Sequence, residues 1–162
     1  MSANPSDRTG MVAALRQRTV SARLADGRYL ARQVVVAQSV SRRLLGLMGR
    51  KQVGPEEGLW LVPCRSIHMF FMRTAIDVAF LDRGGMVVRT VARMRPWSLR
   101  PISVTLVPVA RAHSALELAP GTLHRLGVVA GTHLTFEPAA ALVPSPVGAR
   151  TAPAPSSSSS GE

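Results

Sequence analysis

The chain has 162 residues, which is enough for one domain with a buried core and too few for two domains of ordinary size. No run approaches the roughly 18 to 20 uninterrupted apolar residues of a membrane helix, and the apolar run near the start is too short for a secretory signal. The single cysteine, Cys64, excludes an intrachain disulfide and a cysteine-rich zinc site. These features predict a soluble, cytoplasmic protein with no membrane insertion.

The formal net charge of +11 is typical of proteins that bind a polyanion such as nucleic acid. The basic residues are nearly all arginine, however, and they are scattered along the chain. Aromatic residues make up only 4% of the chain, so there are few side chains on which bases could stack. Nucleic acid is therefore disfavoured as a partner.

The two ends of the chain differ in composition from its middle. The last 25 residues are mainly Pro, Ala and Ser, and the first ten are similarly poor in large apolar side chains. Such segments cannot bury enough apolar surface to offset the entropy that is lost on ordering. We therefore expect a flexible segment at residues 1–18, a single globular domain at 19–137 and a disordered tail at 138–162.

The first elements of the domain are predicted to be a hairpin and a helix. Asp26-Gly27 lies between two runs of β-forming residues, and this pair favours a tight hairpin turn. Within residues 39–50, Val40, Leu44, Leu47 and Met48 recur at helical spacing, which predicts a short amphipathic helix.

The rest of the domain is predicted to be mostly strands. Four consecutive runs are rich in β-branched and aromatic residues: 58–62, 66–72, 77–82 and 86–94. Edge strands are expected at 102–107 and 113–119, followed by a short helix that ends at Gly127, a turn at Gly131-Thr132 and a closing strand up to 137. This pattern predicts a mostly β domain of the α+β class, with two short helices and a small curled sheet or closed barrel.

Three segments together carry a family likeness: "RRLLGLMGR" at 42–50, "GLWLVPCRSIHMFFMRTAIDVAFLDRGGMVV" at 58–88 and "ALELAPGTLHRLGVVAGTHL" at 115–134. In order and spacing they resemble the domain-of-unknown-function family numbered 192, a small bacterial and archaeal domain. Many members have a longer link before the position of Asp77, so this chain resembles a shorter-linked subgroup. The resemblance implies a fold and a set of positions to test, and it implies no activity.

Cys64 and His68 are the first candidates for chemistry, because a thiol and an imidazole can form a nucleophile and base pair. Residues four apart in an extended strand lie about 13 Å apart, which is too far for a direct pair. We therefore interpret Cys64 as an inert core residue. The four histidines have no metal-ligand spacing, and we expect neither a metal nor a cofactor.

A hairpin is predicted for residues 63–82, with its loop at 73–76. Strand alternation then places Cys64, His68 and Asp77 on one outward or groove-facing side. The large apolar side chains, including Phe71 and Phe80, face the core on the other side. Arg73 and Asp77 would close an ion pair that stabilises the turn.

Two further residues complete the candidate binding site. Glu117, between two leucines, is expected to point away from the core at a solvated edge. Trp97 lies among arginines in a proline-punctuated segment, which favours either a contact point or a lid over the end of the barrel. The candidate binding residues are His68, Arg73, Asp77, Trp97 and Glu117.

Three functions fit these residues. The first is a non-enzymatic accessory module that binds a small molecule or a protein partner. The second is a hydrolase-type enzyme that uses His68 with Asp77 or Glu117, and the third is a basic nucleic-acid-associated domain. The absence of a nucleophile and base pattern, a phosphate loop or metal spacing favours the first, with no catalytic residue assigned.

Overall fold

The computed structural model describes residues 19–38, 51–69, 72–97 and 107–139. Within these ranges the chain forms one seven-stranded sheet and one short helix, so the fold is mostly β. The strands are β1 (Thr19–Leu24), β2 (Tyr29–Ala37), β3 (Glu57–Leu61), β4 (Ile76–Leu81), β5 (Val87–Met94), β6 (Ser114–Leu118) and β7 (Leu134–Pro138), and the helix is α1 (Thr122–Leu126). The helix predicted at 39–50 lies outside the described residues.

The turn between β1 and β2 follows from the chemistry of Asp26 and Gly27. Gly27 has φ +88°, a value that glycine adopts without a steric penalty. A side-chain oxygen of Asp26 accepts the backbone N–H of Arg28 at 3.0 Å, and the N–H of Gly27 donates to the carbonyl of Leu24 at 3.0 Å. The two strands pair antiparallel, so the predicted hairpin is confirmed.

The sheet has the strand order β5-β4-β6-β3-β2-β1-β7. β2 and β3 run parallel, and all the other neighbouring pairs are antiparallel. The two edge strands meet where each begins: the N–H of Val87 donates to the carbonyl of Thr132 at 2.9 Å, and the N–H of Leu134 donates to that of Gly85 at 3.0 Å. The sheet is therefore a curled half-barrel whose edges are joined at one end.

One hydrophobic core fills the inside of the curled sheet. It contains side chains from all seven strands and from α1. Trp60 of β3 stacks on Phe136 of β7 with a distance of 3.9 Å between ring centroids, although β2 and β1 separate these strands in the sheet. The contact crosses the interior and is possible only because the sheet is strongly curled.

A second core covers the outer face of the central strands. Val78 and Phe80 of β4 belong to this outer core. Ala79 and Leu81, which alternate with them along the strand, belong to the inner core. Phe80 is 0% exposed, which confirms its predicted place in the core. Connecting segments complete this outer core with Val53, Ile67, Met69, Met72, Val109 and Ala112.

Two of the predicted strand assignments are wrong. The described part of the run 66–72 forms no strand, because β4 already pairs with β5 on one side and with β6 on the other. Its apolar side chains cover the outer face instead. β6 lies in the centre of the sheet and not at an edge, and all five of its residues are buried. Of the strand predicted at 102–107, only Val107 is described, and it is not in a strand.

Replacing Gly85 with alanine should destabilise the junction of the two edge strands. Gly85 has φ +87°, and a Cβ at this position would lie 2.6 Å from the carbonyl oxygen of Leu134. Alanine must therefore adopt a strained backbone and also push the strands apart. We expect Gly85→Ala to lower the free energy of unfolding by about 3 kcal/mol in a urea titration.

Gly131→Ala is the matched control for Gly85→Ala. Gly131 also has positive φ, +93°, but a Cβ there meets no atom within 4 Å. The control should lose only about 1 kcal/mol, from the backbone alone. An equal decrease in the free energy of unfolding of the two variants would show that the close approach to Leu134 does not contribute to stability.

Candidate functional site

Asp77 is fully buried on the inner side of β4. One of its oxygens accepts the N–H of Arg93 at 2.8 Å, and the other accepts the N–H of Leu123 at 2.9 Å. Gly121 precedes α1 and provides no side-chain cap, so Asp77 caps the helix from a neighbouring strand. Arg93 has φ +49°, an uncommon value for a residue with a side chain, and its bond to Asp77 stabilises this bulge.

The predicted outward position of Asp77 is therefore wrong. It depended on pairing within residues 63–82, whereas β4 pairs only with β5 and β6. The ion pairs among the described residues also do not include the predicted pair of Arg73 and Asp77. Both carboxylate oxygens accept backbone hydrogen bonds, which gives Asp77 a structural role inside the sheet.

Glu117 lies on the opposite face of the sheet from Asp77. Its register partners are Val78 of β4 and Leu59 of β3, both of which belong to the outer core. The alternation along β6 agrees, since Ala115 and Ala119 also belong to that core. The Glu117 side chain therefore points from the sheet into the apolar outer core, and the residue is only 7% exposed. The predicted solvated position is wrong because β6 is a central strand.

Burial raises the pKa of the Glu117 carboxyl from its ordinary value of 4.5 to about 7. Desolvation is the cause, and no cation or hydrogen-bond donor among the described residues offsets it. A carboxyl in such surroundings is close to half-protonated at neutral pH. It can donate a hydrogen bond when protonated and accept one when ionised.

The segments that cover this face form what we call the outer layer, consisting of residues 63–69, 72–75, 94–97 and 107–113. Backbone hydrogen bonds join its parts: the N–H of Cys64 donates to the carbonyl of His113 at 2.8 Å, and the N–H of Trp97 donates to that of Met69 at 2.9 Å. A third bond, 2.7 Å long, runs from the N–H of Val109 to the carbonyl of Arg65. The layer is therefore held together by its own backbone as well as by the sheet beneath it.

Four of the five candidate residues lie on this side of the sheet. His68, Arg73 and Trp97 are exposed members of the outer layer, and Glu117 is buried beneath it. Trp97 is 61% exposed, and its backbone φ is +56°. The structure thus brings these four residues to the outer side of the sheet and leaves Asp77 buried on the inner side.

Cys64 is half-buried and packs against the outer core. Its thiol donates to the carbonyl of Ser66 at 3.1 Å, and its backbone N–H donates to the carbonyl of His113 at 2.8 Å. Burial, with a smaller contribution from Arg83, lowers the pKa of His113. Within the described ranges no group of three His, Cys, Asp or Glu side chains could hold a metal ion.

The charge of the outer layer is the feature that sequence reasoning missed. Its ranges contain Arg65, Arg73, Arg95 and Arg111, all exposed, and they contain no Asp or Glu. The signal is present in the sequence, since the whole stretch from Arg83 to Leu116 has six arginines and no acidic residue. Arginines that are scattered along the chain therefore gather on one surface of the fold.

The comparisons with known proteins agree on one family. A model of the family DUF192, described as "Uncharacterized ACR", matches residues 22–136. A UPF0127 protein from the archaeon Pyrococcus horikoshii is 37% identical over 91 residues, which is 52% of this chain and 70% of that protein. A UPF0127 protein from Thermococcus sibiricus is 32% identical over 128 residues, or 75% of this chain and 78% of that protein.

Two solved structures share the fold. The first is a candidate transcription regulator from Sinorhizobium meliloti, with a TM-score of 0.59 and 27% identity, covering 72% of this chain and 91% of that one. The second is a protein of unknown function from Novosphingobium aromaticivorans, with a TM-score of 0.59 and 23% identity, covering 72% and 82%. No helix in the described parts of the chain is long and apolar enough to cross a membrane.

Removing the Asp77 carboxylate should destabilise the fold. Asp77→Ala leaves two backbone N–H groups without an acceptor, one of them buried, and we expect the free energy of unfolding to fall by about 3 kcal/mol in urea. Asp77→Asn keeps one acceptor oxygen and should lose about half as much. A loss within 0.5 kcal/mol for the alanine variant would contradict the capping role.

Glu117 should make stability depend on pH in a defined direction. Its pKa is higher in the folded than in the unfolded state, so the folded state holds its proton longer, and the free energy of unfolding falls as pH rises from about 4.5 to 7. The difference between these pKa values corresponds to about 3 kcal/mol. We expect the stability of the wild type, minus that of Glu117→Gln, to fall by this amount between pH 4 and pH 8. Parallel curves for the two proteins would contradict it.

Proposed function

We propose that this chain, which belongs to the DUF192 family, is a non-enzymatic module that binds a small organic ligand at the outer layer. In this proposal a hydrogen-bond donor of the ligand contacts the carboxyl group of Glu117. The single observation that carries this proposal is the buried carboxyl without a described partner. Burying such a group in an apolar layer costs free energy. Costs of this kind are typical of positions where a side chain serves function more than stability.

The rest of the outer layer supports binding more than catalysis. His68, Arg73 and Trp97 are exposed at its surface, where they can contact a ligand that reaches the layer. The hydrolase alternative requires His68 to act with Asp77 or with Glu117. Asp77 lies on the opposite face with both oxygens already bonded, which disfavours the first pair. The pKa of Glu117, about 7, suits a general acid, so hydrolysis stays an outcome of the test.

Nucleic-acid binding is the third candidate. It is favoured by the net charge of +11 and by the description of the Sinorhizobium meliloti relative as a candidate transcription regulator. The outer layer offers one exposed tryptophan among the described residues, whereas single strands are usually bound by several aromatic side chains. A small ligand therefore fits this surface better than an extended polyanion does.

A thermal-shift screen over organic acids, amines, sugars, nucleotides and oligonucleotides tests the proposal. A ligand that binds only the folded state at 100 times its Kd adds about 2.7 kcal/mol, which raises the unfolding midpoint by on the order of 10 °C. We expect a small organic compound to give such a shift in the wild type and a much smaller one in Glu117→Gln. Glu56→Gln is the matched control, because Glu56 is an exposed carboxylate paired with Arg32.

Three results would contradict the proposal. The first is the absence of any small-molecule shift. The second is a shift that Glu117→Gln keeps in full, and the third is product formation from the stabilising compound, which would favour the hydrolase. A response to oligonucleotides alone, weakening steeply with salt, would favour the nucleic-acid alternative.

A further inference from the structure

The described arginines differ in whether a carboxylate neutralises them. On the side of the sheet formed by β1, β2 and β7, arginines are neutralised by carboxylates, in the pairs Arg23–Glu137 at 3.1 Å, Arg28–Asp26 at 2.7 Å and Arg32–Glu56 at 3.3 Å. Among the described residues no carboxylate pairs with an arginine of the outer layer. The arginines of the outer layer thus carry positive charge that no carboxylate in the described ranges neutralises.

Two chain segments that carry outer-layer arginines meet at the carbonyl of Met69. That carbonyl accepts the N–H of Trp97 at 2.9 Å and the N–H of Met72 at 3.4 Å, so two chain segments meet there. Arg73 directly follows Met72, and Arg95 lies two residues before Trp97. We call the exposed residues at this junction, Arg73, Arg95 and Trp97, the Met69 corner.

We propose that the Met69 corner binds the anionic group of an aromatic organic acid, and that this acid is the ligand whose hydrogen-bond donor meets Glu117. The proposal rests on the function proposed above and names its ligand class. Arginine recognises carboxylates through paired N–H donors, and the exposed face of Trp97 can stack on an aromatic ring.

The composition of the corner selects this class over the others. An ammonium group would be repelled by the exposed arginines, and the ranges of the outer layer contain no Asp or Glu that could pair with it. A purely polar anion would make no use of the exposed ring of Trp97, on which an aromatic ring can stack.

Three probes with one shared body separate the possible head groups. 4-Hydroxyphenylacetate, 4-hydroxyphenylacetamide and tyramine all carry a phenol, which supplies an aromatic ring and a hydrogen-bond donor. Their other ends are a carboxylate, a neutral amide and an ammonium group. Isothermal titration calorimetry of the full chain at pH 7 measures the affinity of each probe. The change in tryptophan fluorescence on binding gives a second readout, since Trp97 is exposed to the ligand and Trp60 is fully buried.

We expect the acid to bind at least ten times more tightly than the amide, and tyramine to bind most weakly. The double variant Arg73→Gln, Arg95→Gln should weaken the acid at least tenfold and leave the amide unchanged. The double variant Arg28→Gln, Arg32→Gln removes the same two charges and is the control, since these arginines pair with Asp26 and Glu56, and it should change neither affinity. Circular dichroism of each variant establishes that it is folded.

The outcomes separate this inference from the function on which it rests. If the amide or tyramine binds as tightly as the acid, anion recognition at the corner is wrong, although a ligand site stands. The same conclusion follows if none of the three probes binds while a compound without an anionic group does so in the screen, whereas binding of another aromatic acid, weakened by the double variant, would support the inference. If the acid binds and the double variant does not weaken it, the assignment of Arg73 and Arg95 is wrong. If neither the probes nor the screen yields a ligand, both proposals fail.

Discussion

The close approach of Gly85 to the carbonyl of Leu134 joins the two edges of the sheet, and the rest of the fold depends on it. A flat sheet of seven strands would expose two faces and two unpaired edges. Because the edges meet at one end, the inner face is enclosed and can be filled by residues from every strand. The stacking of Trp60 on Phe136 across the interior is a direct result.

The same curl determines where a binding site can form. With the inside filled, the outer face of the central strands is covered by connecting segments, which pack on it with side chains such as Met69 and Val109. Segments of this kind leave polar side chains exposed and carry much of the function in many folds. Glu117 lies at the boundary between the sheet and this covering layer. Its burial is therefore a property of the whole architecture and not of its own strand.

Local chemistry allowed much of the fold to be predicted from the sequence. The Asp26-Gly27 turn, the end of α1 at Gly127 and the resemblance to the family, now confirmed by the match over residues 22–136, depend on short-range patterns. The positions of Asp77 and Glu117 could not be predicted, because they depend on which distant strands lie on either side of each residue. An apolar run indicates burial but not pairing, so residues 66–69 were expected in a strand and instead cover one.

The bonds of Asp77 give the molecule a mechanical property. A single carboxylate holds the bulge of β5 at Arg93 and the first turn of α1 at Leu123. If the edge strand frays at this bulge, the hydrogen bond to Arg93 breaks and the carboxylate can rotate. Its hydrogen bond to Leu123 in the helix then becomes weaker as well. The stability of the edge strand and that of the helix are therefore coupled through one side chain, although the two elements are separate in the sequence.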